Sequence, residues 1–141
     1  MRFLVIIKAN EQSEAGEMPG EQVLTEMGKF NEELVNAGIL LGAEGLHPSR
    51  KGAKVKWTGK TTTVIDGPFA ETKELIAGFW IWNCASLDEA KSWARRIPNP
   101  DGVDSEVTIL QIFAAEDFGA ELTPEQERLR ETLEKRQQHG S

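Results

Sequence analysis

Apolar positions along this chain recur with two different periods, and the switches between them mark out the elements. Phe3 to Ile7 is an unbroken apolar run rich in β-branched residues, which predicts a buried strand. Residues 10–20 are polar and contain Gly16, Pro19 and Gly20. They predict a loop whose Glu11, Glu14 and Glu17 are simply solvated. From near Gly20 the period becomes helical: Val23, Met27, Phe30 and Leu34 form one stripe with Leu24 beside it. Gly38 follows as a left-handed C-cap. Ile39-Leu40-Leu41 predicts a second strand, which leaves through Gly42-Ala43-Glu44-Gly45-Leu46-His47-Pro48. The proline holds His47 in extended backbone. Period-two alternation over Ala53–Trp57, the turn Thr58-Gly59-Lys60 and the run Thr61–Ile65 predict a β-hairpin over residues 53–65, ended by Asp66-Gly67-Pro68.

The next strand spans Gly78 to Cys84. Ser86-Leu87-Asp88-Glu89 then reads as a capping box opening a helix with Leu87, Ala90, Trp93, Ala94 and Ile97 on one face. Pro98 and Pro100 stop it, and Val107 to Phe113 is the last strand. Thr123-Pro124 starts a final helix to about residue 138, with Leu129 and Leu133 as its large apolar residues. The order is two β-α-β units, residues 3–43 and 78–113, with the hairpin inserted between them and a helix at the C-terminal end: an α+β architecture.

Right-handed crossovers put both crossover helices on one face of the sheet. The strands are nonetheless apolar on both sides. Phe79 and Ile81 oppose Trp80, Trp82 and Cys84; Phe3, Val5 and Ile7 oppose Leu4 and Ile6; Val107, Ile109 and Phe113 oppose Leu110 and Ile112. An antiparallel sheet with one face in water shows polar residues there. The expectation is a homodimer with two sheets packed face to face.

Sixteen cations against 23 carboxylates give a formal charge of −7, which argues against a nucleic-acid partner. The apolar run near Met1 is too short for a signal peptide or a membrane span, so a soluble cytoplasmic protein is expected. Cys84, the one cysteine, sits in an apolar run and reads as a small core residue. His47 and His139 are the only histidines. No zinc-ligand spacing and no glycine-rich nucleotide motif occurs, so no cofactor and no metal is expected.

Asp66-Gly67-Pro68-Phe69, followed by Ala70-Glu71-Thr72-Lys73-Glu74, resembles the signature of the DGPF-domain proteins, the YCII-related family. The run Ala43–Ser49 and Gly78-Phe79-Trp80 are similar to that family's pattern too. The resemblance covers residues 1–115 and leaves an acidic helical extension, residues 116–141, outside it. It implies a ferredoxin-like fold of the dimeric α/β-barrel type. It also implies a His-Asp pair, here His47 and Asp66, as candidate acid/base groups. One branch of the family eliminates chloride from an aromatic hydroquinone, and some DGPF genes lie beside extracytoplasmic-function sigma factors.

A neutral His can take and return a proton, and a carboxylate can orient it. On residue type alone His47 is equally a turn residue before proline, and Asp66 a turn former bonding its own backbone. Arg50 and Lys73 are candidates to draw in an anionic substrate, although Lys73 would also pair with Glu71 or Glu74 and lock the loop. Phe69 and Trp80 are candidates to line an apolar pocket, with core or dimer interface as the competing assignment. Glu44 is a weaker acid/base candidate. Two functions are in contention. One is a cofactor-independent small-molecule enzyme doing elimination, isomerisation or hydrolysis through His47 and Asp66. The other is a non-catalytic dimeric module that binds a small molecule or a regulator such as a sigma factor.

Overall fold

A computed structural model describes residues 1–121 and 123–139. Four strands form an antiparallel sheet: β1 (Arg2–Lys8), β2 (Leu40–Gly45), β5 (Ile76–Asn83) and β6 (Val107–Gln111), in the order β2-β5-β1-β6. The first crossover helix, α2 (Glu21–Asn36), joins β1 to β2 over β5. The second, α3 (Leu87–Ala94), joins β5 to β6 over β1. These are two interleaved split β-α-β units. The predicted hairpin is a separate two-stranded sheet, β3 (Ala53–Thr58) with β4 (Thr61–Asp66). The predicted C-terminal helix is present as α4 (Pro124–His139). The chain is thus α+β with antiparallel sheets. Among the described residues no helix is long and apolar enough to cross a membrane.

Cross-strand register puts Phe3 opposite Trp82, and Val5 opposite both Trp80 and Ile109. Those side chains share one face, and α2 and α3 cover it. The Phe30 ring meets the Trp80, Trp82 and Trp93 rings edge-on at 6.1, 6.3 and 6.4 Å. Phe3, Val5, Leu34 and Trp82 are fully buried, and Cys84 lies with them as a free thiol. The opposite face carries Leu4, Ile6, Phe79, Ile81 and Leu110. None of these is buried, and Leu110 is 53% exposed.

Helix α2 ends as expected. Gly38 takes φ +74°, and the Ile39 and Gly38 amides donate to the Leu34 and Val35 carbonyls, a Schellman pattern that a β-carbon at Gly38 would strain. Ser86 accepts from the Glu89 amide at 3.1 Å, which is one half of the expected capping box.

Three expectations need correction. The polar stretch after β1 is not all loop: Asn10 and Ser13 form a reciprocal capping box, at 2.8 and 2.9 Å, that starts a one-turn helix α1 (Glu11–Glu14). Glu14 is not merely solvated, because its carboxylate binds Ser49. The last strand stops at Gln111, two residues short of Phe113. Phe113 instead lies beside Phe118, with ring centroids 5.0 Å apart. Met1–Gln111 is one compact unit; the described residues from Ile112 onward form a second.

Candidate functional site

His47 leaves β2 just before a single 3-10 turn, Ser49–Lys51, and Asp66 is the last residue of β4, paired with Ala53. Both are exposed. Among the described residues neither side chain makes a hydrogen bond or an ion pair, and the Asp66 carboxylate does not bond its own turn.

What the structure does bring together is the backbone on either side of them. The Gly67 amide donates to the Gly52 carbonyl at 2.9 Å. The Phe69 amide donates to Ser49 Oγ at 3.0 Å, and Ser49 Oγ donates to Glu14 Oε2 at 2.5 Å. The Ser49 amide donates to Glu14 Oε1 at 2.8 Å. A β-carbon built on Gly67 would lie 1.7 Å from the Ser49 carbonyl oxygen, so only glycine lets this turn approach so closely. The Gly67-Pro68 peptide is cis. The segment after His47 and the segment after Asp66 are therefore stitched to each other and to α1.

The two Ser49 hydrogen bonds hold the Glu14 carboxyl below the usual carboxylate range; burial opposes them, and the Arg50 charge adds the smallest contribution in their favour. Glu14 and Ser49 are the pair that pattern reading missed. The signal was there: Asn10 three residues before Ser13 is a helix-start spacing inside a stretch taken as loop.

The other expected site residues fall in three places. The Arg50 guanidinium lies against Gly16 and donates to the Ala15 carbonyl at 3.4 Å. Phe69 is half-buried, with the Lys54 ammonium 4.4 Å above its ring. Lys73 lies in the 3-10 turn Thr72–Glu74; its side chain is outside the described residues. Beside it, hydrogen bonding to Glu71 and then the Glu71 charge push the Glu74 carboxyl up, with Lys54 opposing. Glu11, Glu71 and Glu74 line a hollow of about 640 Å³ next to this turn.

Trp80 is 3% exposed and belongs to the core, yet its edge also reaches a second hollow. That cleft, about 830 Å³, is lined by Ile7, Val23, Leu24, Met27, Asn31 and Trp80 among others, and also by the charged Lys8, Glu17, Glu44 and Asp101. Asn31 Oδ1 accepts from Trp80 Nε1 at 2.8 Å. That bond fixes the amide orientation, because the indole can only donate. The Asn31 amide nitrogen is left as a donor without a protein acceptor among the described residues.

A family model for the YCII-related domain matches residues 1–113. The chain is also 40% identical over 79 residues to an uncharacterized protein of Rhizobium meliloti (strain 1021). That alignment takes in 56% of this chain and 64% of the relative, so it spans a little under two thirds of the relative's length. With the model covering the whole sheet, both crossover helices and the Asp66–Phe69 turn, the chain belongs to the YCII-related domain family.

Proposed function

We propose that the chain is a cofactor-independent small-molecule enzyme in which His47 acts as general base or acid and Asp66 orients it. The observation carrying this reading is the stitching of their two segments: Gly67 to Gly52, and Phe69 through Ser49 to Glu14. It holds both backbones in one loop cluster while both side chains lack hydrogen-bond and ion-pair partners among the described residues, which suits groups that meet a substrate. The reaction class is proton transfer coupled to elimination, isomerisation or hydrolysis on a small, partly aromatic anion. Arg50, Phe69, Lys73 and Trp80 are the candidates for substrate binding. The test is chloride release from a chlorinated hydroquinone, compared among the native chain, His47→Ala and Asp66→Asn. Turnover that survives in His47→Ala would remove the pair.

A second reading is favoured by the cleft at Trp80. Most of its lining area is apolar although Lys8, Glu17, Glu44 and Asp101 also line it, it offers an oriented amide donor from Asn31, and it contains neither His47 nor Asp66. In this reading the chain binds a neutral apolar or aromatic ligand without transforming it. Quenching of tryptophan emission by such a ligand, lost in Asn31→Leu and retained in His47→Ala, would select it.

In either reading we place a second copy over the face bearing Leu4, Ile6, Phe79, Ile81 and Leu110, as in a dimeric α/β barrel. The support is that none of these five side chains is buried. Sedimentation at micromolar concentration tests the homodimer, and a monomer there would sink it.

A further inference from the structure

The chain between β1 and α2, residues 10–20, walls one side of the cleft at Trp80 through Asn10, Gln12, Ser13, Glu17, Met18 and Gly20 among others. The two halves of that wall are held differently. The first half is fastened. Asn10 and Ser13 cap each other, Glu14 binds the Ser49 hydroxyl and amide, and Arg50 donates to the Ala15 carbonyl at 3.4 Å. The second half is loose. Gly16 to Gly20 are all exposed. The Gly16 and Glu17 amides donate back to the Ser13 and Gln12 carbonyls at 3.1 and 3.0 Å, and beyond them the Met18 and Gly20 amides donate to no acceptor among the described residues. A glycine stands at each end: Gly16 takes φ +80°, and Gly20 opens α2 without a side-chain cap bond. Segments with few buried contacts and few backbone bonds are the ones that open and close most readily. In the middle of the loose half Met18 is 81% exposed, the most exposed large apolar side chain among the described residues, and it lines the cleft. A methionine in water at the border of a largely apolar hollow lacks only an occupant to cover.

We infer that residues 16–20 are a flap that closes Met18 over a flat aromatic molecule bound in the cleft. The inference rests on the reading of the cleft as a ligand site and adds to it what retains the ligand. Trp80 and Asn31 belong to the fixed side of the cleft. Asn31 Oδ1 is committed to the indole N–H, so its amide nitrogen is the donor left for an acceptor on the ligand. Val23 and Met27 of α2 add apolar wall. Met18 supplies the cover: a thioether packs well on an aromatic ring, and an unbranched side chain adapts to rings of different outline. The ligand class is therefore an aromatic ring bearing a hydrogen-bond acceptor, and Met18 sets how long it stays. The Glu14–Ser49 bonds keep α1 still, which confines the movement to the segment after it.

The probe is prodan, a neutral naphthyl ketone whose emission reports the polarity around it. It is titrated into the full chain as native, Met18→Ala, Met18→Leu and Asn31→Leu, and its release is followed by stopped-flow dilution. Met18 is mostly in water, so its replacement leaves the fold intact, which circular dichroism checks. The expected result is a dissociation rate constant raised about tenfold in Met18→Ala and largely restored in Met18→Leu, with association little changed. Hydrogen exchange at the Met18 and Gly20 amides should slow when prodan binds the native chain, and exchange at Gly20 should not slow in Met18→Ala. A Met18→Ala variant that releases prodan at the native rate overturns the flap while leaving the cleft standing. Prodan that fails to bind the native chain, or that binds Asn31→Leu as tightly as the native chain, overturns the reading of the cleft and the flap with it.

Discussion

Trp82 and Trp57 stand at opposite extremes of this molecule. Trp82 is fully buried under α2 and α3; Trp57 is 69% exposed on the β3–β4 arm. The covered face of the sheet is held by apolar contacts among Phe3, Val5, Phe30, Trp80 and Trp82. The arm and the Asp66–Phe69 turn have no buried apolar residue. Polar contacts to Ser49, Gly52 and Glu14 hold them instead. Non-directional burial fixes the first region and tolerates small shifts. Directional hydrogen bonds fix the second, and a single atom added or lost there matters.

The largest effect should come from the core. Trp82→Ala removes the biggest fully buried side chain and is expected to cost about 3–5 kcal/mol in urea unfolding. A loss below about 1 kcal/mol would mean that the two regions do not differ as described. Gly67→Ala comes next, near 3 kcal/mol at the upper end for overpacking. The added carbon meets a backbone carbonyl at 1.7 Å, and neither partner is a flexible side chain. Amide NMR signals of residues 49–52 and 66–69 should move while those of α2 and α3 stay in place. Movement throughout would show that the turn and the core are one cooperative unit.

Ser49→Ala removes the hub of the stitches and should cost about 1–2 kcal/mol. Its dependence on pH sharpens the contrast. The Glu14 carboxyl is held low in the folded chain, so its contribution is complete above the ordinary carboxylate range and is lost as pH falls through the lowered value. Glu74 is pushed up by Glu71, so its contribution has the opposite sign: it favours the folded chain at acid pH and disappears as pH rises through the raised value. Thermal melts across the acid range should therefore flatten in one direction for Ser49→Ala and in the other for Glu71→Gln. Identical profiles for the two variants would contradict this assignment of causes.

Much of the core was legible because periodicity is a direct record of burial. The Val23–Leu34 stripe and the alternation at Phe79–Trp82 both have the sides that they predict. The hairpin was legible too, since its turn and alternation are local. The stitch between Glu14 and Ser49 was not. It joins residues 35 apart through a polar contact, and a glutamate in a polar stretch reads the same whether it is solvated or bonded. The end of β6 was missed for a related reason. Ile112 and Phe113 continue the apolar run, but apolar character records burial and not pairing, and Phe113 lies beside Phe118 past the end of the strand.

The smallest expected effect belongs to Trp57→Thr, and it probes the comparison from the exposed side. Threonine keeps the β-branched preference for a strand and leaves the register with Thr62 intact. Because the indole is mostly in water, its removal should change stability by no more than about 0.5 kcal/mol. The measurement belongs at the lowest workable protein concentration, since any association that buries the ring would add to the apparent stability by mass action. A loss growing with protein concentration would locate the contribution of Trp57 between molecules. A large loss that is independent of concentration would mean that the ring is packed within its own chain, and the contrast between the two tryptophans would fail.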